Sequence, residues 1–149
     1  MYVPLRTQLT KEVPWFFEPC FEHLEYLSRD RGFSWNGEIH GGPDAYARMT
    51  FEDERLDIRV WLWLPMNLPE LEVVSLRKKR RVLELSVIVP EFTLASERGD
   101  YYERYKRVHP LDKGGRAEVE RLFEVAVANR IGQFGVFLRE HLDKLRKAA

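Results

Sequence analysis

The sequence predicts an α+β fold, in which an antiparallel sheet of four to five strands packs against an N-terminal helix and a long C-terminal helix. Apolar residues alternate with polar ones through the middle of the chain. They recur instead at helical spacing over residues 12–31, and again from Gly115 to the C-terminus. The predicted element order is β-α-β-β-β-β-α, within a single domain covering residues 1–149.

The first two predicted elements are a short strand and a helix. The strand covers residues 3–9, and we place it at a sheet edge because Pro4 cannot donate a ladder hydrogen bond. The helix covers residues 12–31, with its regular part starting at Pro19 and with Gly32 as its C-terminal cap. Its inward stripe is apolar and consists of Phe17, Phe21, Leu24 and Leu27, with Cys20 beside them.

A β-hairpin is the clearest local pattern in the chain. It follows a loop or irregular hairpin that is marked by glycines and a proline over residues 37–43. A two-residue turn at Asp53-Glu54 would place the apolar residues of both strands on one face. The predicted cross-strand pairs are Phe51 with Leu56, Met49 with Ile58 and Ala47 with Val60.

The rest of the chain predicts two strands and two helices. The strands lie around residues 71–76 and 82–89, and a basic turn joins them. Residues 101–108 suit a short helix that stops before Pro110, and a long amphipathic helix follows from Gly115.

Composition excludes several classes of protein. The 24 basic and 24 acidic residues balance, which argues against a generally basic nucleic-acid protein. The lone cysteine permits no intramolecular disulfide and no cysteine-rich metal site. No apolar run is long enough for a signal sequence or a membrane span, so we expect a cytoplasmic protein without a membrane partner. The chain has few Asn and Gln residues and many charged ones, a composition that is common in heat-adapted proteins. A GC-rich genome could also explain the excess of arginine over lysine.

Two features predict a surface for a protein partner or for self-association. Trp61 and Trp63 fall on the face of their strand that points away from the predicted core, and clustered exposed tryptophans are typical of binding surfaces. In the last helix, Ala128, Gly132 and Gly135 form a stripe of small residues inside a stretch with one charge. The simpler alternatives are a helix that covers the tryptophans, and a long helix that uses its stripe to cross the domain's own sheet.

Nucleic-acid binding is an alternative prediction. A hairpin tip over residues 77–81 would supply phosphate contacts, and a segment over 98–109 interleaves tyrosines with cations, as single-strand binders do. Charged hairpin tips also keep sheet edges soluble without any ligand. The candidate residues are Arg77, Lys78, Lys79, Arg80, Arg81, Tyr101, Tyr102, Arg104, Tyr105, Lys106 and Arg107.

Enzyme chemistry has little support in the sequence. The four histidines are scattered, and no phosphate-binding, dinucleotide-binding or nucleophile-elbow motif is present. We therefore predict no cofactor and no metal, and we interpret Cys20 as a core residue. A catalytic site assembled from distant side chains stays open, because geometry rather than sequence order defines such sites.

The order of elements is also similar to that of helix-grip lipid-binding domains. A carrier of a small apolar ligand would then line its cavity with Trp61, Trp63, Phe134 and Phe137. Among these alternatives, the sequence favours a non-enzymatic binding or regulatory domain that acts through a protein–protein surface.

Overall fold

Five strands form one antiparallel sheet in the computed structural model, which describes residues 4–77, 79–90 and 99–149. The strands lie side by side in chain order, so each connection joins neighbours. Their bounds are β1 Ser34–His40, β2 Tyr46–Glu52, β3 Leu56–Trp63, β4 Glu70–Ser75 and β5 Arg81–Val82.

The described helices flank the sheet in sequence, three before it and three after it. Their bounds are α1 Leu5–Glu12, α2 Pro14–Leu24, α3 Tyr26–Asp30, α4 Leu85–Ile88, α5 Tyr101–Arg107 and α6 Lys113–Ala148. The predicted fold class is confirmed: this is an α+β fold with an antiparallel sheet, N-terminal helical structure and a long C-terminal helix.

One face of the sheet packs into the hydrophobic core. Its inward side chains alternate along β2 and β3, and Ala47, Met49, Val60 and Leu62 are fully buried. On β1 the helices approach closely at Gly37, where an added Cβ would lie 2.5 Å from Leu9 Cδ1. A glycine at this position therefore lets α1 pack directly on the strand.

The β2–β3 hairpin differs from the predicted register by two residues. Met49 pairs with Val60 rather than Ile58, because the turn spans Asp53 to Leu56 instead of two residues. Asp53 holds this turn, since its Oδ1 accepts hydrogen bonds from the backbone N–H groups of Arg55 and Leu56, each at 2.8 Å. A slip of two residues preserves the face of every side chain, so the predicted inward set is retained.

Asp53 also ties the hairpin to the end of α6. Its Oδ2 lies 2.7 Å from Arg146 Nη2, and the Asp53 side chain is only 3% exposed. Arg146 in turn lies over the ring of Phe33 and donates to the carbonyl of Arg31. Two turn hydrogen bonds and one tertiary ion pair therefore converge on a single carboxylate.

The predicted strand over residues 3–9 is wrong where the structure describes it, because Leu5–Glu12 is helical. Leu5 and Leu9 also satisfy a helical spacing, and a short alternation cannot exclude that period. Pro4 precedes the helix, and its carbonyl accepts from the N–H of Gln8. Contacts with α2 and with the residue that follows it stabilise the helix: Arg6 lies 4.2 Å from the centre of the Phe21 ring and forms an ion pair with Glu25.

The predicted helix over residues 12–31 is divided into α2 and α3. It begins at Pro14 rather than Pro19, which lies inside α2. Gly32 ends it as predicted, with a positive φ of 78° and with the N–H of Phe33 donating to the carbonyl of Leu27.

The predicted strand over residues 82–89 is mostly wrong. Only Arg81–Val82 pairs with β4, and the chain then turns into the short helix α4. Over so few positions, the apolar residues of this segment fit the period of a strand as well as that of a helix. Burial of Leu83 and Leu85 is compatible with both structures. Of the two structures predicted for residues 37–43, a loop or an irregular hairpin, the structure has the hairpin: β1 extends to His40 and pairs with β2.

Candidate binding surface on the sheet

The face of the sheet opposite the core carries aromatic and charged side chains. The tryptophans of β3 point to this outer face, as predicted, and both are half-buried. The register brings cross-strand neighbours to the same face of the sheet. We call the following residues the outer face: Glu38, His40, Tyr46, Arg48, Thr50, Glu52, Asp57, Arg59, Trp61, Trp63, Glu70 and Glu72.

Four rings of the outer face pack on one another. Trp61 and Trp63 are stacked, with 5.1 Å between centroids and 3° between planes. Tyr46 meets both indoles edge-on, at 5.2 and 5.4 Å. His40 stacks on the ring of Tyr46 at 5.1 Å. Mutual packing therefore orders a continuous aromatic cluster on the sheet surface.

Arg48 and Glu38 fix the middle of this cluster. The Arg48 guanidinium carbon lies 4.7 Å from the centre of the Trp61 ring, and Nη2 is 2.6 Å from Glu38 Oε1. The hydroxyl of Tyr46 donates to the same carboxylate oxygen at 2.9 Å. This hydrogen bond raises the pKa of Tyr46 above its usual value of 10.0, because ionisation of the phenol would remove the donated proton beside the carboxylate.

A second charged group lies beside the rings. Arg59 forms ion pairs with Asp57 at 2.8 Å and with Glu72 at 3.2 Å. Partial burial opposes the charge of Arg59, but the hydrogen bonds and attraction of these carboxylates outweigh it and raise the pKa of the guanidinium. Over the whole outer face, five carboxylates accompany two arginines. The surface around the tryptophans is therefore acidic in balance.

The small-residue stripe of α6 packs against α2 within the chain. A Cβ at Gly135 would lie 2.8 Å from the backbone oxygen of His23, and one at Gly132 would lie 3.5 Å from the His23 ring. The hydroxyl of Tyr26 also donates to the carbonyl of Gly135 at 3.0 Å. Close approach of two helices of one chain thus accounts for Gly135. The stripe packs on α2 and not on the sheet, which the simpler alternative had expected it to cross. Ala128 is half-buried on the same helix.

The basic hairpin tip is exposed at each position that the structure describes. Arg77, Lys79, Arg80 and Arg81 are all exposed, and Lys78 lies outside the described residues. Lys79 and Arg80 both have a φ of 53°, in the left-handed region that non-glycine residues adopt at a cost. The tip presents cations, but the geometry of its described residues does not select a nucleic acid over solvent.

The tyrosine-rich segment forms α5, and its rings divide between two environments. Tyr101 and Tyr105 pack against the core, with Tyr101 5.6 Å from the ring of Phe123. Tyr102 is the exposed ring of the three. The cations have intramolecular roles, since Arg104 pairs with Asp100 and Lys106 pairs with Glu103; Arg107 is exposed. This arrangement leaves one tyrosine rather than three for stacking on a base.

The residues suggested for an apolar carrier do not line a common cavity. Phe134 and Phe137 are buried in the core, whereas Trp61 and Trp63 lie on the opposite face of β3 from its core residues. Cys20 is fully buried, and burial raises the pKa of its thiol, so the thiolate needed for nucleophilic chemistry is disfavoured. Within the described ranges, no three His, Cys, Asp or Glu side chains are grouped to hold a metal ion.

None of the helices in the described part of the chain combines the length and the apolar character that crossing a membrane requires. Comparisons with protein-family models, curated protein sequences and solved structures found no match for this chain.

Sequence reasoning found the two tryptophans but missed the side chains around them. Tyr46, Arg48 and Glu38 lie on β1 and β2 at positions that share the outer face with Trp61. The alternation in β2 already places its even-numbered residues opposite the core. Extending the pairing of β2 with β3 to those residues would have predicted Tyr46 and Arg48 as neighbours of the tryptophans. Glu38 could not be predicted in this way, because it lies on β1 and its position depends on the pairing of β1 with β2.

Proposed function

We propose that this chain is a non-enzymatic protein-binding domain whose outer face is the binding surface. The observation that carries the proposal is the stacked pair Trp61 and Trp63, held on the solvent side of a sheet whose other side is the core. Tryptophan is the residue type most enriched among the side chains that dominate binding energy at protein interfaces.

Order within the cluster supports this function. The tryptophan rings contact Tyr46 and Arg48, and Arg48 is fixed by Glu38. Side chains that are already immobile lose little conformational entropy when a partner covers them. An aromatic surface that is rigid before binding therefore gives more net affinity than a mobile one of equal area.

The charges of the outer face define the partner that would fit it. Five carboxylates against two arginines favour a partner that presents basic groups around an apolar centre. The same balance disfavours nucleic acid on this face, because phosphates would approach the carboxylates. We therefore propose a protein with a basic, apolar-centred docking surface as the occupant.

Site-specific photo-crosslinking in the native host tests the proposal. A crosslinking amino acid replaces Asn36, which is exposed on β1 and pairs with Thr50 of the outer face. In a matched control it replaces Val136, which is exposed on α6. We expect one protein, identified by mass spectrometry, to crosslink from position 36 and not from 136. The identified protein must then bind the purified chain. Equal crosslinking from both positions, or no binding by the purified pair, would contradict the proposal.

A further inference from the structure

A groove at the junction of α5 and α6 is separate from the outer face and has a different chemistry. Its volume is about 330 Å³, which is near the lower limit of small-ligand pockets. The walls come from four parts of the chain: the start of α2, the turn after β3, α5 and α6. The lining residues are Trp15, Pro65, Met66, Tyr102, Tyr105, Glu120, Phe123 and Glu124.

Aromatic rings make up much of the wall. Trp15 meets Phe123 edge-on at 5.5 Å, and the two tyrosines stand three residues apart on α5. Both tyrosines already attract cations of the chain itself: Lys106 Nζ lies 4.8 Å from the centre of the Tyr102 ring, and Arg116 lies 4.7 Å from that of Tyr105. The electron-rich faces in this region therefore bind positive charge in the folded protein.

Two carboxylates complete the groove. Glu120 and Glu124 are one helical turn apart on α6, a spacing at which like charges repel. No ion pair joins either carboxylate to a cation in residues 4–77, 79–90 or 99–149. The neighbouring cations have other partners, since Lys106 pairs with Glu103, Arg121 with Glu118, and Arg116 donates to the carbonyl of Val108.

We propose that this groove binds a small alkylammonium ligand. The aromatic rings and Met66 contact the alkyl groups of the ligand, while the two carboxylates supply the countercharge. Binding of one positive charge relieves the repulsion between Glu120 and Glu124. A neutral molecule of the same shape gains the apolar contacts alone and binds more weakly.

Titration with choline, monitored by amide chemical shifts at constant ionic strength, tests the proposal. The neutral probe is 3,3-dimethylbutan-1-ol, in which carbon replaces the quaternary nitrogen of choline. We expect choline to shift the amides of residues around the groove with a Kd of about 1 mM or tighter, and to bind about tenfold more tightly than the neutral probe.

Three variants test whether choline binds at the groove or elsewhere on the protein. The double variant Glu120→Gln/Glu124→Gln keeps the shape of the groove and should weaken choline binding about tenfold or more. Glu118→Gln is the matched control: this residue is also on α6 but pairs with Arg121 outside the groove, so binding should not change. Tyr102→Ala removes an exposed part of the wall and should also weaken binding.

The proposal is overturned by any of three results: no shift of the groove amides with choline, equal binding of the neutral probe, or unchanged binding by the double glutamine variant. Thermal unfolding of each variant verifies that the fold is retained before the titration is interpreted.

Discussion

Replacing Gly135 with alanine is expected to lower the free energy of unfolding by about 1–2 kcal/mol. Overpacking at the upper end of its usual cost, about 3 kcal/mol, exceeds the gain of about 1 kcal/mol that alanine brings to a helix interior over glycine. The new Cβ would lie 2.8 Å from the backbone oxygen of His23 and 3.2 Å from its Cβ. Backbone atoms cannot rotate away as the end of a side chain can, so α2 and α6 would have to separate. The hydrogen bond from the hydroxyl of Tyr26 to the carbonyl of Gly135 would be strained by the same movement.

Gly132→Ala is the matched control for this prediction. Its Cβ would lie 3.5 Å from the His23 ring, an ordinary van der Waals distance. Alanine favours a helix interior by about 1 kcal/mol over glycine, so this variant should be as stable as the native chain or more stable. Urea unfolding measures both. Equal effects of the two substitutions would contradict the described packing of α2 on α6.

Replacing Asp53 with alanine is expected to cost about 3 kcal/mol, because it removes two turn hydrogen bonds and leaves Arg146 without its carboxylate partner. The Asp53 side chain is 3% exposed, so water replaces these interactions poorly. Arg146 is 25% exposed, which keeps the loss at the lower end of the range for broken buried pairs.

Glu54→Ala provides the control for the Asp53 variant, in the same turn but at an exposed side chain. Surface changes of this kind stay within about 0.5 kcal/mol. Chemical denaturation of both variants gives the comparison. If Asp53→Ala unfolds at the same urea concentration as Glu54→Ala, then Asp53 does not anchor the hairpin to α6.

The sequence predicted those elements whose pattern extends over many residues. The long helix and the β2–β3 hairpin are examples, since period and alternation are unambiguous over such lengths. Errors fall on short segments: residues 5–12 are helix instead of strand, and residues 85–88 are a helical turn instead of strand. Over so few positions, packing against the rest of the fold decides between the two periods.

Two properties of the candidate surfaces depended on contacts between distant parts of the chain. Alternation in β3 placed Trp61 and Trp63 away from the core, but the contact with Tyr46 depends on the register of β2 with β3. The glycine stripe was visible in sequence, whereas its partner on α2 was not, because His23 is more than 100 residues away. The groove likewise combines residues from Trp15 to Glu124.

The affinity of the purified chain for the partner identified by crosslinking tests the proposed binding surface most directly. Calorimetry would compare the native chain with Trp61→Ser/Trp63→Ser, and with Val136→Ser as a control for loss of an exposed apolar side chain. The outer-face variant should lose at least about 2 kcal/mol of binding free energy, a loss typical of residues that dominate an interface, while the control binds as the native chain does. Native affinity in the tryptophan variant, with its fold intact, would contradict the assignment of the outer face as the binding surface.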